Sequence, residues 1–174
     1  ITHDKLHPRV GQTAKSLLYV YLLLTAVLIL LLWCGPMNLF DAVCQGFSTM
    51  STGGFSTRNA SIAAWNSDYV GWVVAIFMLV GGVNFMLLYG LLRGNWRPLA
   101  RNDVFRAYGL IVLAAWGLFA LARFINGNDG GLGRNLLEPL FQVATTITTT
   151  GFSFGSYEGW GQLALSVILI PMVM

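Results

Sequence analysis

The chain has 174 residues, of which 56% are hydrophobic and only 10% are charged. Soluble domains carry about 25% charged residues, so this composition excludes an ordinary water-soluble domain and indicates an all-α polytopic membrane protein. The net charge is +3, but the basic residues flank the apolar runs and form no single patch. We therefore expect no nucleic-acid partner. The two cysteines, Cys34 and Cys44, match no metal or redox spacing.

Four long apolar runs follow one another along the chain, and the first three have the length of a membrane-spanning helix. The runs cover residues 17–34, 69–92, 104–125 and 162–174. The polar start has no signal-peptide pattern, and the last run ends abruptly. The abrupt end and the missing initiator Met predict an internal piece of a longer protein.

Two short amphipathic stretches lie between these runs, and each leads into a loop rich in Ser, Thr and Gly. The stretches cover residues 39–50 and 136–148, which is too short to cross a bilayer. The loop sequences STMSTGGFST (48–57) and TTITTTGFSF (145–154) align without a gap at an offset of 97 residues. Span, short helix, glycine loop and span therefore occur twice, which predicts two copies of one structural unit.

We expect the first unit over residues 1–103, with a polar N-terminal segment and a basic linker, and the second over residues 104–174, truncated in its last helix. The segment LVGGVN (79–84) within the first unit is interpreted as helix packing or a bend. Small residues and hydroxyls can also serve helix packing in membranes, and that alternative applies to either loop taken alone.

The charge distribution predicts the orientation in the membrane. If the ends of runs two and three face the cytoplasm, that side holds seven basic residues and the opposite side holds three. Membrane proteins carry their excess of Lys and Arg on the cytoplasmic side, so both glycine loops are expected to enter from outside. The outer side then holds Arg58, Arg123, Arg134, Asp41, Asp68, Asp129, Glu138 and Glu158.

The glycine loops are candidate cation-binding segments. Irregular backbone within a membrane is tolerated where it is buried in protein or lines a water-filled path. Carbonyl oxygens of such a loop can replace the hydration shell of a monovalent cation, and Gly54 and Gly151 allow the unusual backbone conformation this needs. The hydroxyls of Thr52 and Thr149 would add oxygens at the inner end of each loop.

The remaining parts of each unit are expected to support the loops. Phe55 and Phe152 would pack outward and brace them. The short helices would point their C-termini, which carry about half a negative charge, at the membrane centre, where cations are favoured. Asp41 and Glu138 would lie at the opposite, positive ends. The spans contain no His, no carboxylate pair and no Cys/His set, so we expect no enzyme.

The segments FSTMSTGGFSTRNASI, FQVATTITTTGF and FMLVGGVNF resemble the Trk/Ktr/HKT superfamily of potassium transporters, most closely its bacterial TrkH-like branch, over essentially the whole chain. The resemblance implies four span–pore helix–span repeats around one pore, of which this chain supplies the second and third. It implies potassium binding by the backbone carbonyls of Thr52, Gly53, Gly54, Thr149, Thr150 and Gly151, with Phe55 and Phe152 completing the two filter segments.

The resemblance also implies the setting of the protein. Family members lie in the bacterial inner membrane in contact with lipid, form homodimers and bind a cytoplasmic nucleotide-binding regulatory ring. Potassium is the transported ion, and no organic cofactor is expected in this chain. The family's gating loop would begin just past Met174. Two alternatives use the same residues: a two-repeat potassium channel completed by dimerisation, and a non-conducting membrane scaffold.

Overall fold

The computed structural model describes residues 7–92, 102–125 and 132–154, and all regular secondary structure within them is helical. The predicted all-α fold is therefore confirmed for this part of the chain. The fourth predicted run lies outside the described residues. The elements are α1 (His7–Trp33), α2 (Leu39–Met50), a 3-10 helix (Ser61–Trp65), α3 (Asp68–Gly81), α4 (Phe85–Leu92), α5 (Asp103–Ile125) and α6 (Leu132–Ile147).

Within the described residues, two helices are long and apolar enough to cross a membrane unaided. They are Thr13–Trp33 within α1 and Asp103–Leu121 within α5. Both expose large apolar side chains such as Leu22 and Leu113, as helices in lipid do. Helix α1 begins ten residues before the predicted run, because the apolar run marks the part suited to lipid and not the end of the helix.

The second predicted run is a bent pair of helices and not one straight span. Helices α3 and α4 are bent by 105° at a short break, so the bend expected within LVGGVN is confirmed. Asn84 precedes the first residue of α4 and caps the helix. Its side-chain oxygen accepts the N–H of Met86 at 2.9 Å, and its carbonyl accepts the N–H of Leu87 at 2.9 Å. An Asn in this position satisfies N–H groups that have no partner within the helix.

Helix α3 contacts both short helices, α2 and α6, and this contact brings the two loop-bearing units together. Its glycine at position 71 allows the close approach, since a Cβ there would lie 2.7 Å from the ring of Phe154 and 2.9 Å from Leu137. The buried core that joins the units consists of Leu28, Leu32, Met37, Ala42, Met50, Ile62, Val70, Val74, Ala75, Met78, Phe141, Ala144 and Phe152.

The start of α6 differs from the prediction. The helix begins at Leu132, four residues before the predicted residue 136, and it continues through Pro139. Glu138 consequently lies in the second turn, so its expected place at the positive helix end is wrong. Asp41, by contrast, does lie in the first turn of α2. A Gly- and Asn-rich sequence is typical of a loop, but here Arg134 in the first turn bonds to Asp68 of α3 and to Asn66.

Candidate functional site

Both short helices end in the same backbone cap. In each, the second and third residues after the last helical residue donate N–H groups back to the last turn, which is the Schellman arrangement. The bonds run from Thr52 to Thr49 (3.1 Å) and from Gly53 to Ser48 (2.8 Å), and in α6 from Thr149 to Thr146 (3.2 Å) and from Thr150 to Thr145 (3.0 Å). All four positions match at the offset of 97 residues, so the repeated sequence is a repeated structure here.

A threonine occupies the left-handed position of each cap. The φ angles are 51° at Thr52 and 54° at Thr149. Glycine is the usual residue there, because a Cβ in the left-handed region costs about 1–2 kcal/mol. Positive φ then recurs two residues later, at Gly54 (70°) and Gly151 (86°). Non-glycine residues held in this region concentrate at functional sites, and here the same strain occurs twice.

The two glycine loops, residues 51–57 and 148–154, meet at Gly54. A Cβ on Gly54 would collide with the carbonyl oxygen of Thr150 and lie 3.1 Å from its carbonyl carbon. The N–H of Ser153 also donates to the hydroxyl of Ser61 at 3.3 Å, which ties the second loop to the segment after the first. Residues 96 positions apart in the sequence, Gly54 and Thr150, therefore lie in direct contact.

The glycines and the residues before them are not equivalent in the two loops. Within the part of the chain that the structure describes, a Cβ on Gly151 would meet no atom within 4 Å, whereas Gly54 has no room for one. Thr150 is buried and its hydroxyl is hydrogen-bonded to that of Thr148 at 2.7 Å. Gly53, the residue aligned with Thr150, is exposed and has no side chain to make such a bond. The close contact between the loops is thus made by backbone atoms of Gly54 and Thr150 and not by side chains.

The two phenylalanines that follow the glycines also differ. Phe152 is 1% exposed and belongs to the buried core, and its carbonyl accepts the hydroxyl of Thr145 at 3.1 Å. Phe55 is 82% exposed, so the expected bracing of both loops by phenylalanine is not seen at Phe55. The carbonyl of Phe152 consequently points back toward α6.

Side chains of α2 hold the part of the first loop that follows Phe55. Asp41 and Gln45 contact residues 56–58 through hydrogen bonds and one ion pair. The sequence interpretation placed Asp41 at a helix end and assigned no role to Gln45. The four-residue spacing that puts both on one face of a helix was the available signal.

The break between α3 and α4 lies against the ends of both short helices. A Cβ on Gly82 would lie 2.9 Å from the methyl group of Thr148 and 2.9 Å from the hydroxyl of Tyr108. That hydroxyl donates to the carbonyl of Leu79 at 3.1 Å, one turn before the break. The bend therefore starts where the two loops begin.

Oxygen atoms are the only cation ligands that the described loops offer. Across residues 7–92, 102–125 and 132–154, no group of three His, Cys, Asp or Glu side chains could hold a metal ion. The loops instead present backbone carbonyl and hydroxyl oxygens, which suit a hard cation.

The fold and the paired loops define a class: an all-helical membrane protein with two copies of a helix-and-glycine-loop unit. The family model of TrkH, a cation transport protein, matches residues 1–100. The chain belongs to the TrkH family.

Named relatives agree with this assignment. The Trk system potassium uptake protein TrkH of Salmonella typhimurium is 37% identical over 173 residues, covering 96% of this chain and 35% of that protein. The Trk system potassium uptake protein TrkG of Escherichia coli K12 is 32% identical over 170 residues, covering 96% and 34%. The chain thus spans about a third of the length of the curated relatives it matches.

A solved structure shows the same fold. The crystal structure of the potassium transporter TrkH from Vibrio parahaemolyticus superposes with a TM-score of 0.88 at 29% sequence identity. The match covers 94% of this chain and 36% of that transporter.

Proposed function

We propose that this chain forms part of the pore of a potassium uptake protein in the bacterial inner membrane, and that its two glycine loops are selectivity-filter segments. The observation that carries the proposal is the contact between Gly54 and Thr150, which joins two identically capped loops. The two relatives named above, TrkH of Salmonella typhimurium and TrkG of Escherichia coli, are potassium uptake proteins, which supports potassium as the transported ion.

The proposed ligands are backbone carbonyl oxygens of Thr52, Gly53, Gly54, Thr149, Thr150 and Gly151. An ion that leaves water loses its hydration shell, and carbonyl oxygens held in place can replace that shell. In each set of three residues, the first and the third have positive φ. This supports the role, because a backbone that alternates between left-handed and right-handed conformations can point successive carbonyl oxygens in the same direction. The C-terminal ends of α2 and α6, where the loops begin, add partial negative charge.

The rest of the pore is proposed to come from further repeats of the same polypeptide. The chain spans about a third of its relatives' length, and α2 leaves large apolar side chains such as Phe40 and Phe47 exposed together with Phe55. A neighbouring repeat would cover that face. We divide the chain into units of residues 1–103 and 104–174. Homodimer formation and a cytoplasmic nucleotide-binding regulatory ring are further parts of the proposal.

Ion uptake by the full-length protein in liposomes tests the proposed function. Loaded with potassium, the liposomes should take up rubidium, and external potassium should compete with this uptake at lower concentration than sodium does. Protein-free liposomes are the control. If correctly folded protein is incorporated into the liposomes and takes up no rubidium, the result would favour the scaffold alternative. If sodium competes as well as potassium does, the result would contradict potassium selectivity.

A further inference from the structure

We infer that Asp41 and Gln45 of α2 are positioning residues for ion selectivity. Together they clamp residues 56–58, the segment at the end of the first glycine loop, which we call the outgoing limb. The inference rests on the proposed function and concerns the first loop alone. The hydrogen bonds of these two side chains go to the limb, so they would act on the ion ligands through the limb that they hold.

The contacts cover three consecutive residues of the limb. One carboxylate oxygen of Asp41 accepts the hydroxyl of Thr57 at 2.7 Å, and the other accepts a guanidinium N–H of Arg58 at 3.3 Å. One turn further along α2, the side-chain amide of Gln45 donates to the hydroxyl of Ser56 at 2.6 Å. Residues four apart lie on one helix face, so α2 presents both groups to the limb at once.

The α2 side of this clamp is buried, while Thr57 and Arg58 on the other side are exposed. Asp41 is 6% exposed and Gln45 is 0% exposed. A buried carboxylate is stable only when it is paired and hydrogen-bonded, and such charge-assisted bonds are about twice as strong as neutral ones. The limb is only two residues from Gly54, so a shift of Ser56 or Thr57 moves the carbonyls beside Gly54.

The second loop is held by different means. Phe154 stands where the first loop has Thr57, and it has no group that could hydrogen-bond to a carboxylate. Its ring packs on Phe141 with the centroids 5.1 Å apart. The N–H of Ser153 bonds to Ser61 instead. The bond between Asp41 and Thr57 therefore has no counterpart at Phe154, although the two caps are alike.

The ratio of rubidium to sodium uptake by the full-length protein tests the clamp. Asp41→Asn removes the charge that holds Arg58, and Thr57→Val removes one hydroxyl at an exposed position without changing the side chain's shape. We expect the ratio to fall about tenfold with Asp41→Asn and about threefold with Thr57→Val. Asparagine at position 41 keeps an oxygen that can accept the Thr57 hydroxyl, so Asp41→Asn weakens this bond by removing its charge and Thr57→Val removes it. Because both changes act on one shared hydrogen bond, the double variant should lose less than the product of the two effects.

Asp68→Asn is the matched control. It removes the same charge from an Asp–Arg pair, with Arg134 at 3.1 Å, but that pair is exposed and contacts neither loop limb. The control should keep the parental ratio. If the parent is selective and both Asp41→Asn and Thr57→Val keep its ratio, the clamp inference is wrong while the proposed function stands. If Asp41→Asn does not fold, Thr57→Val decides. If the parent takes up no rubidium, the proposed function fails and the clamp inference fails with it.

Discussion

Gly54→Ala is expected to reduce selective rubidium uptake at least about tenfold, which is more than Gly151→Ala should do. The added Cβ at Gly54 would collide with the carbonyl oxygen of Thr150, a proposed ion ligand of the other loop. The backbone at φ 70° is also unfavourable for alanine. One methyl group would therefore disturb both loops.

The matched variants separate the collision from the backbone strain. Gly151→Ala meets no atom within 4 Å, so at φ 86° it has only the backbone strain of about 1–2 kcal/mol. Gly117→Ala lies in α5, again with no atom within 4 Å, and has a helical backbone, so it should transport like the parent. Rubidium uptake at equal protein incorporation is the measurement. Parental uptake and selectivity by Gly54→Ala would contradict the contact between the loops.

Phe152→Ala is expected to lower the free energy of unfolding by about 3–5 kcal/mol, the usual cost of removing a buried phenylalanine ring. Phe152 is fully enclosed by the core that joins the two units, so its loss leaves a cavity. The aligned Phe55 ring is exposed in the described residues, so a loss on Phe55→Ala comes only from the neighbouring repeat proposed to cover it and should be smaller than the loss at Phe152.

Unfolding of the purified full-length variants in one detergent, followed by the helical circular-dichroism signal, compares the two positions directly. The two substitutions are chemically identical and occupy aligned places, so detergent effects on the helices are shared. Equal losses at both positions would show that a further part of the full-length protein buries Phe55 as deeply as the described core buries Phe152.

Local repetition was predictable from the sequence, because it depends on residues close together in the chain. The aligned Thr and Gly at the loop starts predicted two equal structures, and the caps at Thr52 and Thr149 are equal in hydrogen bonding and φ. The bend near Gly82 was likewise indicated by small residues within an apolar run. Both features follow from backbone preferences within about ten residues.

Contacts between distant segments were not predictable in the same way. The collision partner of Gly54, the burial of Phe152 and the exposure of Phe55 depend on how α3 packs against α2 and α6. The early start of α6 has the same origin, since Arg134 in its first turn is paired with Asp68 of α3. Aligned residues thus share backbone geometry but differ in environment, which is why the repeat is only partly symmetric.

The position of bound ions is the most direct test of a shared ion path between the loops. Crystals of the full-length protein grown with rubidium would reveal the ion by anomalous scattering. We predict a peak coordinated by carbonyl oxygens from both loops, including Thr52–Gly54 of the first and Thr149–Gly151 of the second. Occupied rubidium sites that lie elsewhere, with no peak between the two loops, would contradict the proposed filter.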